Sequence, residues 1–387
     1  MVKNDIEHIL LQAKEVSKTV ISEEACKTDK EARWPERSIR ALLNAGLGGL
    51  VVPEMHGGLG QGLTGLVKVC EIISQQCAST SMCYGMHCVG SAVLSAKATE
   101  FQKKNFIEPI VEGKYISTIA LSEPGTGAHF YFPHTQLTSM PDGTLKLNGT
   151  KSFVTNGEKA DIYVISTLAL DPTAPPNEFS CVAVEKNTPG MKWGEPWKGM
   201  GMRGNSSTNL ELYNVKIPAD YLLGEKGDQL WYVFNVVAPY FLMAMSGTYL
   251  GIAQSAFEEA CKHIHSRSYT HSGTSLASAA VIQHRLGSIW AKLERTRSLI
   301  YQAASLGDKG EEAAVQFIMA EKAEVGHCVV DIVNEALTLS GGIAYRENSK
   351  LELLLRDARA AHIMAPTTDF LYMWIGRSIL DQPILGE

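Results

Sequence analysis

"YISTIALSE", Tyr115 to Glu123, is where the chain changes its period. Upstream, apolar residues recur at helical spacing. "WPERSIRALLNAGL" (Trp34–Leu47) can end on Gly46, and "LTGLVKVCEIISQQCA" (Leu63–Ala78) carries Leu66, Val69, Cys70 and Ile73 on one stripe. From Tyr115 the period shortens toward two, as a half-buried strand requires. "GTLKLNGTKSFVTNG" (Gly143–Gly157), "ADIYVISTLAL" (Ala160–Leu170), "NEFSCVAVEK" (Asn177–Lys186) and "STNLELYNVKIP" (Ser207–Pro218) follow, divided by Gly, Pro, Asn and Asp. After Leu223 the helical period returns. "HRLGSIWAKLERTRSLI" (His284–Ile300) sets Leu286, Ile289, Trp290, Leu293 and Ile300 on one face, and "EEAAVQFIMAEKAEVGHCVVDIVNEALTLSGG" (Glu311–Gly342) ends on two glycines. Helices, strands, helices: the order reads as an α+β chain. It predicts a helical domain over 1–116, an antiparallel barrel or sandwich over 117–226 and a second helical domain over 227–387.

The bulk numbers bound the function. At 387 residues the chain exceeds one compact core. With 41 acids against 35 bases, the net charge of −6 argues against nucleic acid or an anionic membrane as main partners. Eight scattered cysteines without a CxxC pair, and a charged start where a signal peptide needs an apolar run, predict a cytoplasmic protein. From Gln229 to Phe257, 29 consecutive residues carry no Asp, Glu, Lys or Arg. That could span a bilayer. Asn235, Pro239 and Gln254 within it, and the lack of an aromatic belt, favour a buried core helix and no membrane span.

Four stretches have chemical content. In "LSEPGTGAH" (Leu121–His129), Gly125 and Gly127 permit close backbone approach, to a ligand or simply to a strand turn. In "SFVTNGEKAD", Phe153 and Thr155 fall on one face of a strand, a ring beside a hydroxyl. "LTLSGGIAYRENSKLELLLRDAR" joins Gly341-Gly342 to a helix in which Arg356 and Asp357 read as an ion pair. "RDARAAHIMAPTTDFLYMWIGR" (Arg356–Arg377) breaks at Pro366, which lacks an N–H and fixes φ. His263 and His265, two apart, cannot share a helix face, so no metal site is expected. His87 reads as a core histidine. HExxH, GxSxG and Walker motifs are absent.

In this order and spacing these pieces resemble the acyl-CoA dehydrogenase family over nearly the whole chain. The resemblance rests on "WPERSIRALLNAGLGGLVVPEMHGGLGQG", "ALSEPGTGAH", "LNGTKSFVTNGEKADIYV", "WKGMGMRGNSSTNLELYNVKIPADYLLGEKG" and "SGGIAYRENSKLELLLRDAR". It implies a helical domain, a central antiparallel β-barrel and a C-terminal four-helix bundle, with FAD as cofactor and a homodimer or homotetramer. Residue by residue it implies Leu121 and Ser122 at the flavin's pyrimidine side, Phe153 over the ring, Thr155 near N5, and Thr367 and Asp369 reaching the cofactor. Gly341 and Gly342 would serve the adenosine half of a partner's FAD. Gly127 and Ala128 belong to the pyrophosphate loop, and Arg267 and Gln283 to contacts across the dimer. The partners implied are an acyl-CoA or carrier-bound acyl thioester and an electron-transfer flavoprotein or flavin reductase.

The departures concern chemistry. The family's Gly-Ser-Asp is Gly127-Ala128-His129 here, and losing that serine removes a hydrogen bond of about 1 kcal/mol. Arg267 and Gln283 stand sixteen apart where the family has eleven, and Thr338 replaces a glutamine. The family's catalytic Glu-Gly-Thr is Ala365-Pro366-Thr367, and a methyl group accepts no proton. Its alternative glutamate position is Phe241, followed by Leu242 in place of arginine. The N–H of residue 365 remains, and in the family it polarises the thioester carbonyl. His87, His129 and His362 are the alternative bases. Three functions fit: an acyl-thioester dehydrogenase with a displaced base, a flavin-dependent monooxygenase fed with reduced flavin and oxygen, and an inactive acyl- or flavin-binding paralogue.

Overall fold

Two glycines decide how the central helix packs. A Cβ on Gly247 would lie 2.4 Å from the Val67 carbonyl oxygen, and one on Gly251 2.4 Å from that of Glu71. Only glycine lets two helix backbones approach this closely. The helix that carries them runs through the interior of the chain, which explains why its sequence holds no charge over so long a stretch.

The structure, a computed structural model, describes residues 5–127, 129–171, 173–174, 179–225 and 228–384. The N-terminal part is helical: α1 (Ile6–Val16), α2 (Ser22–Lys30), α3 (Glu36–Leu42), α4 (Gly62–Ser74), α5 (Ala78–Ala96), α6 (Glu100–Gln102) and α7 (Glu108–Val111). Eight strands follow: β1 (Ser117–Ala120), β2 (Gln136–Ser139), β3 (Leu145–Val154), β4 (Ile162–Leu168), β5 (Phe179–Glu185), β6 (Met191–Trp193), β7 (Thr208–Ile217) and β8 (Leu222–Leu223). The C-terminal part comprises α8 (Gln229–Tyr232), α9 (Ala238–Ser266), α10 (Ala280–Asp308), α11 (Ala314–Ser340), α12 (Lys350–Ala358), α13 (Ala360–Ile363) and α14 (Thr368–Ile379). The long helices α9, α10 and α11 pack on one another, α14 lies against α11, and α4 and α5 of the first part pack on α9.

The strands form two four-stranded sheets, ordered β1-β4-β5-β8 and β2-β3-β7-β6. Among the described residues no ladder joins them, so the expected closed antiparallel barrel is replaced by two open sheets. One pairing, β1 with β4, is parallel, with Ser117 opposite Ile162. The physical reason lies at the β1 edge. All four β1 residues are buried, and a Cβ on Gly90 of α5 would meet Ser117 Oγ at 2.9 Å. A helix already covers that edge, so closure is not needed to protect it.

One further expectation holds and one changes. Leu230–Ser266 is long and apolar enough to cross a membrane, yet 78% of its most apolar window is buried inside the protein. On α9 every residue from Leu242 to Ala253 is buried, as a core helix requires. Trp290, placed by spacing on the buried stripe of α10, is 55% exposed, while Ile289, Leu293 and Ile300 are buried. The stripe is narrower than the spacing allowed.

Candidate active site

Where the three parts meet, a cavity of about 780 Å³ opens, within the range of small-molecule sites. Helix α5 contributes Met82 and Met86. The β1–β2 connection contributes Leu121, Ser122, Glu123 and Gly127; the end of β3 contributes Phe153 and Thr155. The segment before α9 and its first turn add Val237, Ala238 and Phe241, and the chain from Arg356 to Thr367 closes the remaining side.

The walls are pinned by buried polar contacts. Lys151 is fully buried; its Nζ donates to Glu123 Oε1 at 2.5 Å and to Ser166 Oγ at 2.8 Å. Glu123 also accepts from the His134 N–H at 2.7 Å and the Thr135 hydroxyl at 2.7 Å. Burial acts to raise the Glu123 pKa, but the Lys151 ammonium and these donors outweigh it and hold the carboxyl below its ordinary range. Thr118 Oγ1 donates to the Thr155 carbonyl at 2.8 Å, and the Ser152 N–H to the Ser122 carbonyl at 2.7 Å. Strand β1, the loop after it and the end of β3 are therefore tied to one another.

Phe153 and Thr155 both line the cavity, but not by strand alternation. The register of β3 against β7 shifts between Lys151 and Val154, and Phe153 adopts φ 55°. Such a bulge re-aims a side chain. The Phe153 ring is 66% exposed and meets Trp197 edge-on, centroids 6.3 Å apart at 85°. Thr155 is buried, its hydroxyl 3.1 Å from Ser207 Oγ.

The opposite wall is held by two charges. Arg356 does not pair with Asp357 as its spacing suggested. Its guanidinium makes bidentate contact with Asp29 of α2 at 2.7 and 2.9 Å, bonds Glu352, and donates to the Met200 carbonyl at 3.0 Å. Asp357 accepts the Met202 N–H at 2.6 Å, and burial pushes its pKa up to about 7. Lys322 of α11, fully buried, donates to the carbonyls of Ala361 (3.0 Å), Met364 (3.4 Å) and Pro366 (2.9 Å), bracketing Ala365. The spacing reading passed over Lys322. The signal was present: a charged pair, Glu321-Lys322, interrupts an otherwise apolar helical stripe.

The proposed flavin residues divide into two groups. Leu121, Ser122, Gly127, Phe153, Thr155 and Thr367 share the cavity, as do Ala365 and Phe241. Arg267, Gln283, Gly341, Gly342 and Asp369 are exposed and do not line it; Gln283 Nε2 donates locally to the Ala277 carbonyl. Ala128 lies outside the described residues.

None of the three histidines lines the cavity. His87 is buried with both ring nitrogens engaged: Nε2 with the Gly48 carbonyl at 2.8 Å, and Nδ1 accepting the Ser117 N–H at 3.1 Å. Burial pushes its pKa down to about 4, so it is a neutral core histidine. His129 is exposed and bonds the Tyr131 hydroxyl through Nδ1 at 2.8 Å. His362 sits against His327 and bonds Thr368 Oγ1 at 3.2 Å. Among the described lining residues the ionisable side chains are Glu123, Arg356 and Arg359. Glu123 is consumed by Lys151, and the other two are cations. No group of three or more metal-ligating side chains occurs among the described residues.

These walls suit a planar aromatic cofactor. Phe153 and Trp197 offer faces and edges, and Thr155, Ser122 and Thr367 offer hydroxyls.

The comparisons with known proteins agree. Residues 4–114, 118–215 and 240–380 match the acyl-CoA dehydrogenase N-terminal, middle and C-terminal domains. An acyl-CoA dehydrogenase of Bacillus subtilis (strain 168) is 30% identical over 362 residues, 92% of each chain. A cyclohex-1-ene-1-carbonyl-CoA dehydrogenase of Geobacter metallireducens is 26% identical over 368 residues, 95% of this chain and 96% of that one. The fold superposes on butyryl-CoA dehydrogenase of Megasphaera elsdenii with a TM-score of 0.91 at 24% identity, covering 98% of this chain and 99% of that one. With all three domains matched in order around one cavity, the chain belongs to the acyl-CoA dehydrogenase family of FAD-dependent oxidoreductases acting on CH–CH bonds.

Proposed function

We infer that the protein oxidises the Cα–Cβ bond of an acyl thioester with bound FAD, and that no side chain of its cavity takes the α-proton. One observation carries this: the cavity combines the flavin-type wall with an ionisable set of one neutralised glutamate and two arginines. Bound FAD supplies the acceptor for the Cβ hydride. The chain does the rest. Met82, Met86, Val237 and Phe241 offer an apolar bed for the acyl chain. The Ala365 N–H, which donates to no acceptor among the described residues, stabilises charge developing on the thioester oxygen. The α-proton passes to water at the mouth, where Ile363, Met200 and Arg359 are exposed. The products are an enoyl thioester, a proton in solvent and the reduced cofactor.

A missing positioned base costs about 10²–10⁴-fold in rate, so turnover is slow. Anaerobic addition of an acyl-CoA panel should bleach the flavin slowly. Formate, small enough to stand beside the Ala365 methyl, should accelerate it, and Ala365→Glu should raise the rate by about 10²-fold or more. No bleaching by any thioester, with or without formate, sinks the reading. The same unsupported α-proton favours a second reading, oxygenation by reduced flavin and oxygen; a hydroxylated product under those conditions would select it.

Three finer points belong to this reading. The exposed Arg267, Gln283, Gly341 and Gly342 lie on elements that also expose Val281, Trp290, Ile343 and Tyr345, which supports a homo-oligomer whose second copy reaches the cofactor. An electron-transferring flavoprotein is the proposed oxidant of the reduced enzyme. All eight cysteines are free thiols, which supports the cytoplasm.

A further inference from the structure

The three carbonyls held by Lys322 are not equivalent. Those of Ala361 and Pro366 fix the ends of the turn. The Met364 carbonyl is the other end of the peptide unit whose N–H belongs to Ala365. Among the described residues the only cis peptide follows Ala365, so the Met364–Ala365 unit is trans. In a planar trans unit the C=O and N–H point in opposite directions. Lys322 lies buried behind the loop, between α11 and the 361–366 turn, and Ala365 lines the cavity on the other side.

The geometry points to Lys322 as a positioning residue that works through this peptide: its ammonium, bonded to the Met364 oxygen, draws electron density along the amide and makes the Ala365 N–H a stronger donor to the thioester carbonyl. A charge-assisted bond at one end of an amide polarises the bond at the other, and a low dielectric amplifies the effect. Nothing nearby cancels the charge by hydrogen bonding. The neighbouring Glu321 carboxyl is fully buried, and neither of its oxygens has a hydrogen-bond partner. Lys322 cannot act as a base itself, since its protons are committed to three carbonyls. The role rests on the thioester reading above but does not depend on which group receives the α-proton.

The test reads the carbonyl directly. Crotonyl-CoA labelled with ¹³C at the thioester carbonyl is bound to the FAD-loaded protein, and its stretch is recorded by isotope-edited infrared difference spectroscopy. The wild-type protein should shift the band to lower frequency, and Lys322→Met should lose at least half of that shift. The variant's kcat should fall about tenfold, less than the loss of an oxyanion donor itself, with a smaller change in KM. Circular dichroism and the flavin spectrum establish that the variant is folded and loaded. Should it not fold, Lys322→Gln, which keeps a buried donor without the charge, is read in the same way, and the wild-type protein tests the donor itself. Labelling Met with ¹³C′ and Ala with ¹⁵N marks only the amides of Ala244, Ala320 and Ala365, and one of them must move downfield when the thioester binds. An unchanged band in folded Lys322→Met overturns the role of Lys322 alone, and three unmoved amides overturn it together with the Ala365 N–H as donor. Failure of the wild-type protein to bind any thioester overturns the function with it.

Discussion

Lys151 and Lys322 are both fully buried and both hold a loop that walls the cavity, yet their charges are met in opposite ways. Lys151 has a carboxylate at 2.5 Å, kept ionised by three further donors. Lys322 has only peptide oxygens as hydrogen-bond partners, and burial pushes the adjacent Glu321 carboxyl well above its ordinary range. Burial lowers both ammonium groups to about 8, so both remain charged at neutral pH. The first arrangement is an anchor whose field closes on itself. The second leaves a cation whose field reaches the backbone of the cavity wall. A buried charge that is fully paired serves structure; one paired with dipoles also polarises what it touches.

The largest expected effect is on the closed pair. Glu123→Gln strands Lys151 without its counter-charge and should cost about 3–5 kcal/mol, the usual loss for half of a buried ion pair. Urea unfolding measures it, and a cost under about 1 kcal/mol would show that the pair is not the anchor. Next comes His87, a third buried nitrogen base, held neutral by the same desolvation. Its folded pKa of about 4 lies below the ordinary 6.5, so the unfolded chain binds more protons between those values. The stability it contributes is complete above pH 6.5 and is lost as pH falls toward 4, by up to about 3 kcal/mol. His87→Gln, which keeps a donor and an acceptor but does not titrate, should flatten stability across that window. The smallest effect is at Glu321. Glu321→Gln, isosteric and uncharged, should change stability by no more than about 1 kcal/mol where Lys322 draws no counter-charge from this carboxyl. A loss as large as that of Glu123→Gln would mean that Glu321 is ionised and pairs with Lys322, erasing the contrast.

Much of this was legible in the residue pattern, and the failures have physical causes. The switch of period at Tyr115 located β1 (Ser117–Ala120), although all four of its residues are buried, because the β-branched Ile116, Thr118 and Ile119 mark a strand even where no face alternates. Phe153 and Thr155 do share one cavity, but not by strand alternation. A period of two cannot foresee a residue in the left-handed region, and that bulge carries the Phe153 ring into the cavity. Arg356 and Asp357 looked like partners because they are adjacent. Their actual partners are Asp29 and the Met202 N–H, which folding brings from 327 and 155 residues away. Sequence spacing is blind to such contacts.

The sequence alone determined which elements form and in what order, since helix and strand periods are local properties of the chain. It also set the acid-free central helix and the absence of a carboxylate at residue 365. Only the tertiary structure decided that the sheets stay open, that His87, His129 and His362 all stand away from the cavity, and that Lys322 lies behind Ala365. Those depend on which distant surfaces share one small volume, and on the cost of leaving a charge there without a partner.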